Sequence, residues 1–161
     1  MSKTISVGIS DLNVAMNGDI LVTYALGSCV GICLYDPVAK VAGLSHIMLP
    51  TITDFSDTTH KEKYADAAIE LLLQKMLNMG AGKVRIRAKI AGGAQMFAAI
   101  NNSSLAGIGE RNVIAVKQEL SRLRIPIVAE DTGKNFGRTL YFDSEAGNMK
   151  IKSVNKGEWI Y

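Results

Sequence analysis

A chain of 161 residues, 48% apolar and 20% charged, has the makeup of a globular protein long enough to bury a sizeable core. Its net charge of +3 is too small to point to nucleic acid or a membrane surface as partner. The opening Met-Ser-Lys-Thr-Ile-Ser has no apolar leader core and no apolar run approaches a bilayer span, so a cytoplasmic protein with no membrane insertion is expected.

No repeat, linker or low-complexity stretch divides the chain, which predicts one domain over residues 1–161. Residues 4–8 and 19–25 read as strands. Residues 29–36 and 41–49 are apolar runs around Pro37-Val-Ala-Lys40, the pattern of a hairpin. Residues 51–60 are polar and predict a surface loop. A helix over 61–79 follows from Tyr64, Ala68, Leu71, Leu72 and Met76 at helical spacing, with Gly80 as its stop. Residues 83–91 alternate basic and apolar, which predicts a strand with Arg85 and Arg87 on a solvated outer face. No aromatics alternate with these arginines, so a nucleic-acid surface is not expected. A turn at 92–97 leads to a second helix over 109–123, with Val113, Val116, Leu120 and Leu123 on one face. A strand at 125–130 and a hairpin of 138–143 with 149–154 complete the order. Strands, then helix, strand, helix and strands predict an α+β class: a single layered domain with a strand-rich core and two main helices.

The only two cysteines lie in Leu26-Gly-Ser-Cys-Val-Gly-Ile-Cys-Leu-Tyr-Asp36. Four positions apart on a strand, Cys29 and Cys33 are roughly 13 Å from each other, too far for a disulfide, so both should be free thiols. A cysteine attacks carbon as its thiolate and needs a base nearby. Of the two histidines, His60 falls in the polar loop and His46 in the apolar run Gly43-Leu-Ser-His-Ile-Met-Leu-Pro50.

Hairpin register decides whether Cys29 and His46 meet. If Asp36 pairs with Val41, Cys29 stands across from Met48 and His46 is its diagonal neighbour on the same face. A turn shorter by two residues sets Cys29 and His46 directly opposite. A slip of one residue puts them on opposite faces. Gly27 and Gly31 leave room for a substrate to approach Cys29. The backbone N–H groups around Ser28 and Cys29 could face a developing oxyanion. Thr23, Ser45 and Asp36 are all candidates for the group that orients the histidine. Cys33, inside an apolar run, reads as core. Two cysteines and one nearby histidine make no recognisable metal spacing, and Gly107-Ile-Gly-Glu-Arg-Asn112 lacks the third glycine of a dinucleotide turn, so no metal or cofactor is expected.

These segments resemble the CheD family of chemoreceptor glutamine deamidases. The matching motifs are the two stretches around Cys29 and His46, Tyr64-Ala-Asp66, Ala88-Lys-Ile-Ala-Gly-Gly-Ala-Gln-Met-Phe97, Ile108-Gly-Glu-Arg-Asn112 and Ala129-Glu-Asp-Thr-Gly133. One departure is in the loop after Glu130-Asp131, where the family usually has a glycine pair and this chain reads Thr132-Gly-Lys-Asn-Phe-Gly137, so the local loop shape around Lys134 is left open. The resemblance implies a cysteine amidohydrolase, a protein-glutamine glutaminase. Its nucleophile would be Cys29, its general base and acid His46, and its orienting group Thr23, with Gly27 and Ser28 at the oxyanion side. It implies a fold similar to the catalytic domain of cytotoxic necrotizing factors. It also implies receptor cytoplasmic helices as substrate, and the CheC phosphatase as a partner that competes with them. The alternative it leaves is a regulatory module that binds CheC with little catalysis. Met96 or Phe97 could anchor such a partner, though core packing is the expectation for both.

Overall fold

The computed structural model describes residues 2–52, 59–96 and 107–161. Its elements run β1 (Thr4–Ser6), β2 (Asp11–Ala15), β3 (Ile20–Leu26), β4 (Val30–Asp36), β5 (Val41–Ile47), α1 (Ala65–Asn78), β6 (Arg87–Gly92), α2 (Ile108–Arg122), β7 (Ile127–Thr132), β8 (Arg138–Asp143), β9 (Met149–Ser153) and β10 (Gly157–Ile160). The strands form two five-stranded sheets, in the orders β1-β3-β8-β9-β10 and β2-β5-β4-β6-β7. The fold is α+β and layered, as expected.

The central hairpin shows why the layers stack. Six of the seven residues of β4 are buried, as are all seven of β5. Strands buried on both faces lose the alternation of a half-buried sheet and read as continuous apolar runs. One face of this second sheet, with Val30, Ile32, Leu34, Val41 and Ile47, packs on the two helices. The other, with Cys33, Ala42, Leu44 and Ala91, packs on Leu21, Leu26, Leu140 and Phe142 of the first sheet. The result is three layers: helices, inner sheet, outer sheet.

Helix α1 buries Ala65, Ala68, Ile69, Leu72, Leu73 and Met76, a stripe at helical spacing. It lies so close to β5 that a Cβ on Gly43 would sit 2.8 Å from Leu72 and Met76. Gly80 ends the helix with φ +99°, a left-handed conformation suited to glycine.

Several expectations are corrected at the element level. Residues 83–85 form a 3-10 turn, and the strand begins only at Arg87. Arg85 is drawn away from any ladder by Asp36, whose carboxylate accepts from Nε at 3.0 Å and from a terminal nitrogen at 2.8 Å. Arg85 and Arg87 are exposed, as expected, but farther along the same face Ala91 is buried against the outer sheet and Lys89 is half-buried, reaching to the carbonyls of Gly147 and Tyr161. Strands β2 and β10 were not expected. Asp11–Ala15 pairs with β5 as an edge strand, and Gly157–Ile160 with β9. The first helix is shorter than 61–79, because 61–63 is a separate 3-10 turn. Most of the expected loop at 51–60, residues 53–58, lies outside the described residues. Lys134 has φ +64° after Gly133 at φ +79°. The loop has a left-handed conformation at position 134, at the steric cost a β-carbon brings there.

Asp36 ends β4 as a buried anchor. It accepts hydrogen bonds from the N–H groups of Val38, Ala39 and Gly82 as well as from Arg85. Burial by itself would raise its pKa, but the Arg85 guanidinium and these backbone donors outweigh burial and hold the carboxyl well below the usual carboxylate range. A depressed carboxylate stabilises the fold above its unfolded pKa and loses that contribution as pH falls through acid. Asp36→Ala should therefore cost about 3 kcal/mol in urea unfolding at pH 7, and the cost should shrink as pH drops below about 4. A cost that does not change with pH would contradict this account.

Candidate active site

Thr23 and His46 belong to different sheets, and Cys29 lies in the connection from one sheet to the other. Strand β3 belongs to the outer sheet and β4 to the inner one, and residues 27–29 connect them. In the inner sheet Asp36 pairs with Val41 and Gly31 with His46. This is the first of the three registers considered from sequence. Cys29 stands two residues before Gly31, so it lies diagonal to His46 on the face toward the outer sheet. Cys29 is half-buried and packs on the cluster that holds Cys33 and Leu44, which fits that facing.

Thr23 approaches the same face from across the sandwich. Strand β3 is bulged between Thr23 and Leu26, with Ala25 at φ +60°. A bulge re-aims side chains, and here Tyr24 and Ala25 turn outward while Thr23 stays buried. The Thr23 hydroxyl donates to the carbonyl of Val7 at 2.7 Å. Its oxygen lies 2.6 Å from His46 Nδ1. With its one proton committed to Val7, the hydroxyl can only accept from the ring. The proton of the neutral imidazole therefore sits on Nδ1, and Nε2 carries the lone pair. Nε2 is fully buried and has no hydrogen-bond partner among the described residues.

The two other candidate orienting groups are elsewhere. Asp36 is at the far end of β4 and is occupied by Arg85 and the hairpin turn. Ser45 pairs with Ile32, whose side chain faces the helices, so its hydroxyl is on the opposite face from the imidazole.

Burial sets the protonation states. It pushes the His46 pKa down to about 4, and it pushes the Cys29 thiol up, partly opposed by the residue's own backbone N–H. Near neutral pH both groups are uncharged. Cys33 is fully buried, with its pKa raised further by burial against a weaker opposing effect of Lys89, and it is core as expected.

The glycines have two different roles. Gly31 is buried, and a Cβ there would lie 3.0 Å from Leu140 and 3.2 Å from Leu26, so sheet packing, not substrate access, requires it. Gly27 is half-exposed beneath Met96, whose Cγ would lie 3.0 Å from an added Cβ. Met96 is 44% exposed, against the expectation of core packing. Phe97 lies outside the described residues. His60, expected to be a solvated loop residue, is exposed and has Thr59 Oγ1 3.2 Å from its ring.

Sequence reasoning missed the supports of residues 27–29. Gly93 N–H donates to Cys29 O and Ala94 N–H to Gly27 O, both at 2.8 Å. Gly92, at φ +113°, comes so near that a Cβ would lie 2.2 Å from Cys29 O. In the sequence the Gly92-Gly93 pair shows as a turn and as part of a family motif, without its role as a support of residues 27–29. No cluster of His, Cys, Asp and Glu among the described residues could hold a metal ion. No helix of the described residues is long and apolar enough to cross a membrane.

A half-buried thiol diagonal to a neutral imidazole, itself held by a threonine hydroxyl, has the components of a cysteine–histidine hydrolase site on a layered α+β fold. The chain belongs to the CheD family. The family model for CheD chemotactic sensory transduction matches residues 48–153. A relative from Caldanaerobacter subterraneus subsp. tengcongensis is 54% identical over 97% of this chain and 96% of its own. One from Lachnoclostridium phytofermentans is 49% identical over 97% of each chain, and one from Clostridium botulinum 51% identical over 96% of each. All three are named probable chemoreceptor glutamine deamidase CheD. The solved structure of the hypothetical protein YfiH from Bacillus licheniformis overlaps 76% of this chain and 50% of its own, with TM-score 0.49 and 17% identity.

The imidazole has a direct signature. Long-range proton–nitrogen NMR spectra should show His46 in the Nδ1–H form at pH 7 and neutral until the pH nears about 4. A midpoint near the ordinary value of about 6.5 would overturn the argument from burial. Iodoacetamide should modify Cys29 well before Cys33, with peptide mass mapping as the readout.

Proposed function

We propose that this protein is a chemoreceptor glutamine deamidase that works through Cys29, His46 and Thr23. The observation that carries the reading is the Thr23–His46 hydrogen bond, which leaves a buried, proton-free Nε2 on the face shared with Cys29. The names of relatives at about half identity over nearly the whole chain support the substrate.

In this mechanism His46 Nε2 takes the Cys29 proton as the sulfur attacks the side-chain amide carbon of a receptor glutamine. Both groups start neutral, so the proton moves during the attack instead of resting on a preformed ion pair. Backbone N–H groups at Ser28 and Cys29 stabilise the tetrahedral oxyanion. Protonated His46 then gives its proton to the departing ammonia, leaving a thioester. Water, activated by the same nitrogen, attacks the thioester carbon, glutamate is released and the thiol is restored. Thr23 holds the ring but, being neutral, adds little charge stabilisation to the imidazolium.

A second reading is a module that binds the CheC phosphatase at the same surface. It is favoured by the apolar rim of the site, where Met96 covers Gly27 and Met48 follows the His46 strand. The two readings separate on a receptor cytoplasmic fragment incubated with the protein. The enzyme reading expects a mass gain of about one dalton per converted glutamine. Cys29→Ala should abolish it. Unchanged mass with the natural protein would refute deamidation, and conversion by Cys29→Ala would refute the nucleophile.

Thr23 has its own test. Thr23→Val removes the acceptor that fixes the ring and should lower kcat about a hundredfold with little change in KM, whereas Thr23→Ser should recover most of the loss. Equal kcat in Thr23→Val and the natural protein would remove Thr23 from the mechanism.

A further inference from the structure

Strands β4 and β5 stop pairing just where the reactive groups begin. The last paired residues are Val30 and Ile47. Beyond them the two chains part: Met48 N–H turns to Lys63 O, and residues 27–29 turn toward Gly93 and Ala94. No backbone bond of the ladder holds the Cys29 segment to the end of the His46 strand.

One side chain crosses this gap. Asn112 of α2 is fully buried. Its Nδ2 donates to Ser28 O and to Met48 O, both at 2.9 Å. Its two N–H bonds thus join the residue before the thiol to the second residue after the imidazole. With Ala94 N–H on Gly27 O and Gly93 N–H on Cys29 O, the Asn112 bond to Ser28 gives all three carbonyls of residues 27–29 a donor. Two of these donors are backbone groups and only the third depends on a side chain.

The helix is built to deliver that amide. A Cβ on Gly109 would lie 2.5 Å from Ala94 O, and one on Gly93, at φ +67°, would lie 2.2 Å from Val113. Only glycines let the first turns of α2 press onto the 93–94 segment. Asn112 Oδ1 is buried and has no partner among the described residues. A buried acceptor without a partner is costly, so packing by itself would favour an apolar residue at this position. The two donated bonds are what the position requires.

We propose that Asn112 is a positioning residue for the Cys29–His46 pair, a clamp that fixes the distance between thiol and imidazole where the sheet no longer does. The proposal rests on Cys29 as nucleophile and His46 as base. It acts on kcat through their separation and does not touch substrate.

The test uses the full chain and two readouts. For deamidation of a receptor cytoplasmic fragment, Asn112→Ala should lower kcat about a hundredfold and leave KM within about twofold, the size of effect that a misplacement of about 1 Å produces. For alkylation of Cys29 by iodoacetamide, which needs no receptor, Asn112→Ala should slow the reaction about tenfold in the natural background and leave it unchanged in His46→Ala. A purely structural role would slow both backgrounds alike. Equal slowing, or an unchanged kcat in a folded variant, overturns the proposal. If Asn112→Ala does not fold, Asn112→Ser, which keeps one donor, replaces it in both assays. An intermediate loss, abolished by His46→Ala in the alkylation, is then expected, and a natural kcat or equal slowing overturns the proposal. Failure of the natural protein to deamidate would refute the proposed activity, while the alkylation cycle would still decide the role of Asn112.

Discussion

The site depends on a single hydrogen bond between two sheets. Thr23 and His46 face each other across the sandwich, and the bond at 2.6 Å holds only while the outer and inner sheets are pressed together around Leu26, Leu44 and Leu140. The apolar packing that stabilises the fold is thereby also what aligns the imidazole. Its direction is fixed by a further bond, from Thr23 to the carbonyl of Val7. Because the hydroxyl proton is used there, the tautomer of His46 is decided by backbone placement and not by any charged group. The buried setting then keeps the ring neutral.

Around that bond the chain is arranged to bring a strand corner under control. The connection from β3 to β4 crosses between layers, and such a corner has no ladder of its own. Its carbonyls are satisfied from the neighbouring segment at Gly93 and Ala94 and from Asn112 on a helix. This is the usual demand that buried backbone acceptors find donors, met here at the place where the nucleophile sits. The glycines at 92, 93 and 109 serve the same end. Each would put a Cβ within 3 Å of a neighbour, so each permits a close approach that a side chain would block.

Several parts of this arrangement were legible in the chain. The hairpin of β4 and β5 follows from two apolar runs around Pro37, but the runs leave its register open among three alternatives, and the structure shows the one that pairs Asp36 with Val41. Both helices follow from their spacing. Other parts were misread for identifiable reasons. The basic and apolar alternation of 83–91 looked like a half-exposed strand, but Asp36 captures Arg85 and shifts the strand start to Arg87. Strand β2 is a short edge strand whose pairing with β5 is long-range, and β10 closes a sheet edge near the end of the chain. Neither has the apolar run that marks a central strand.

By itself the sequence determined the residue types available for chemistry, two thiols and two imidazoles, and the local hairpin pattern with Cys29 just before one strand and His46 in the other. Periodicity reaches that far because strand alternation and hairpin closure are local. Spacing leaves Thr23, Ser45 and Asp36 open and the family resemblance implies Thr23; the tertiary structure brings Thr23, and not Ser45 or Asp36, to the ring. That choice depends on which face of each strand meets the other sheet and on a bulge between Thr23 and Leu26. It alone also brought Asn112, 84 positions beyond Ser28, to the carbonyl beside the nucleophile. Contacts of that separation are set by how layers pack, and no spacing in the chain encodes them.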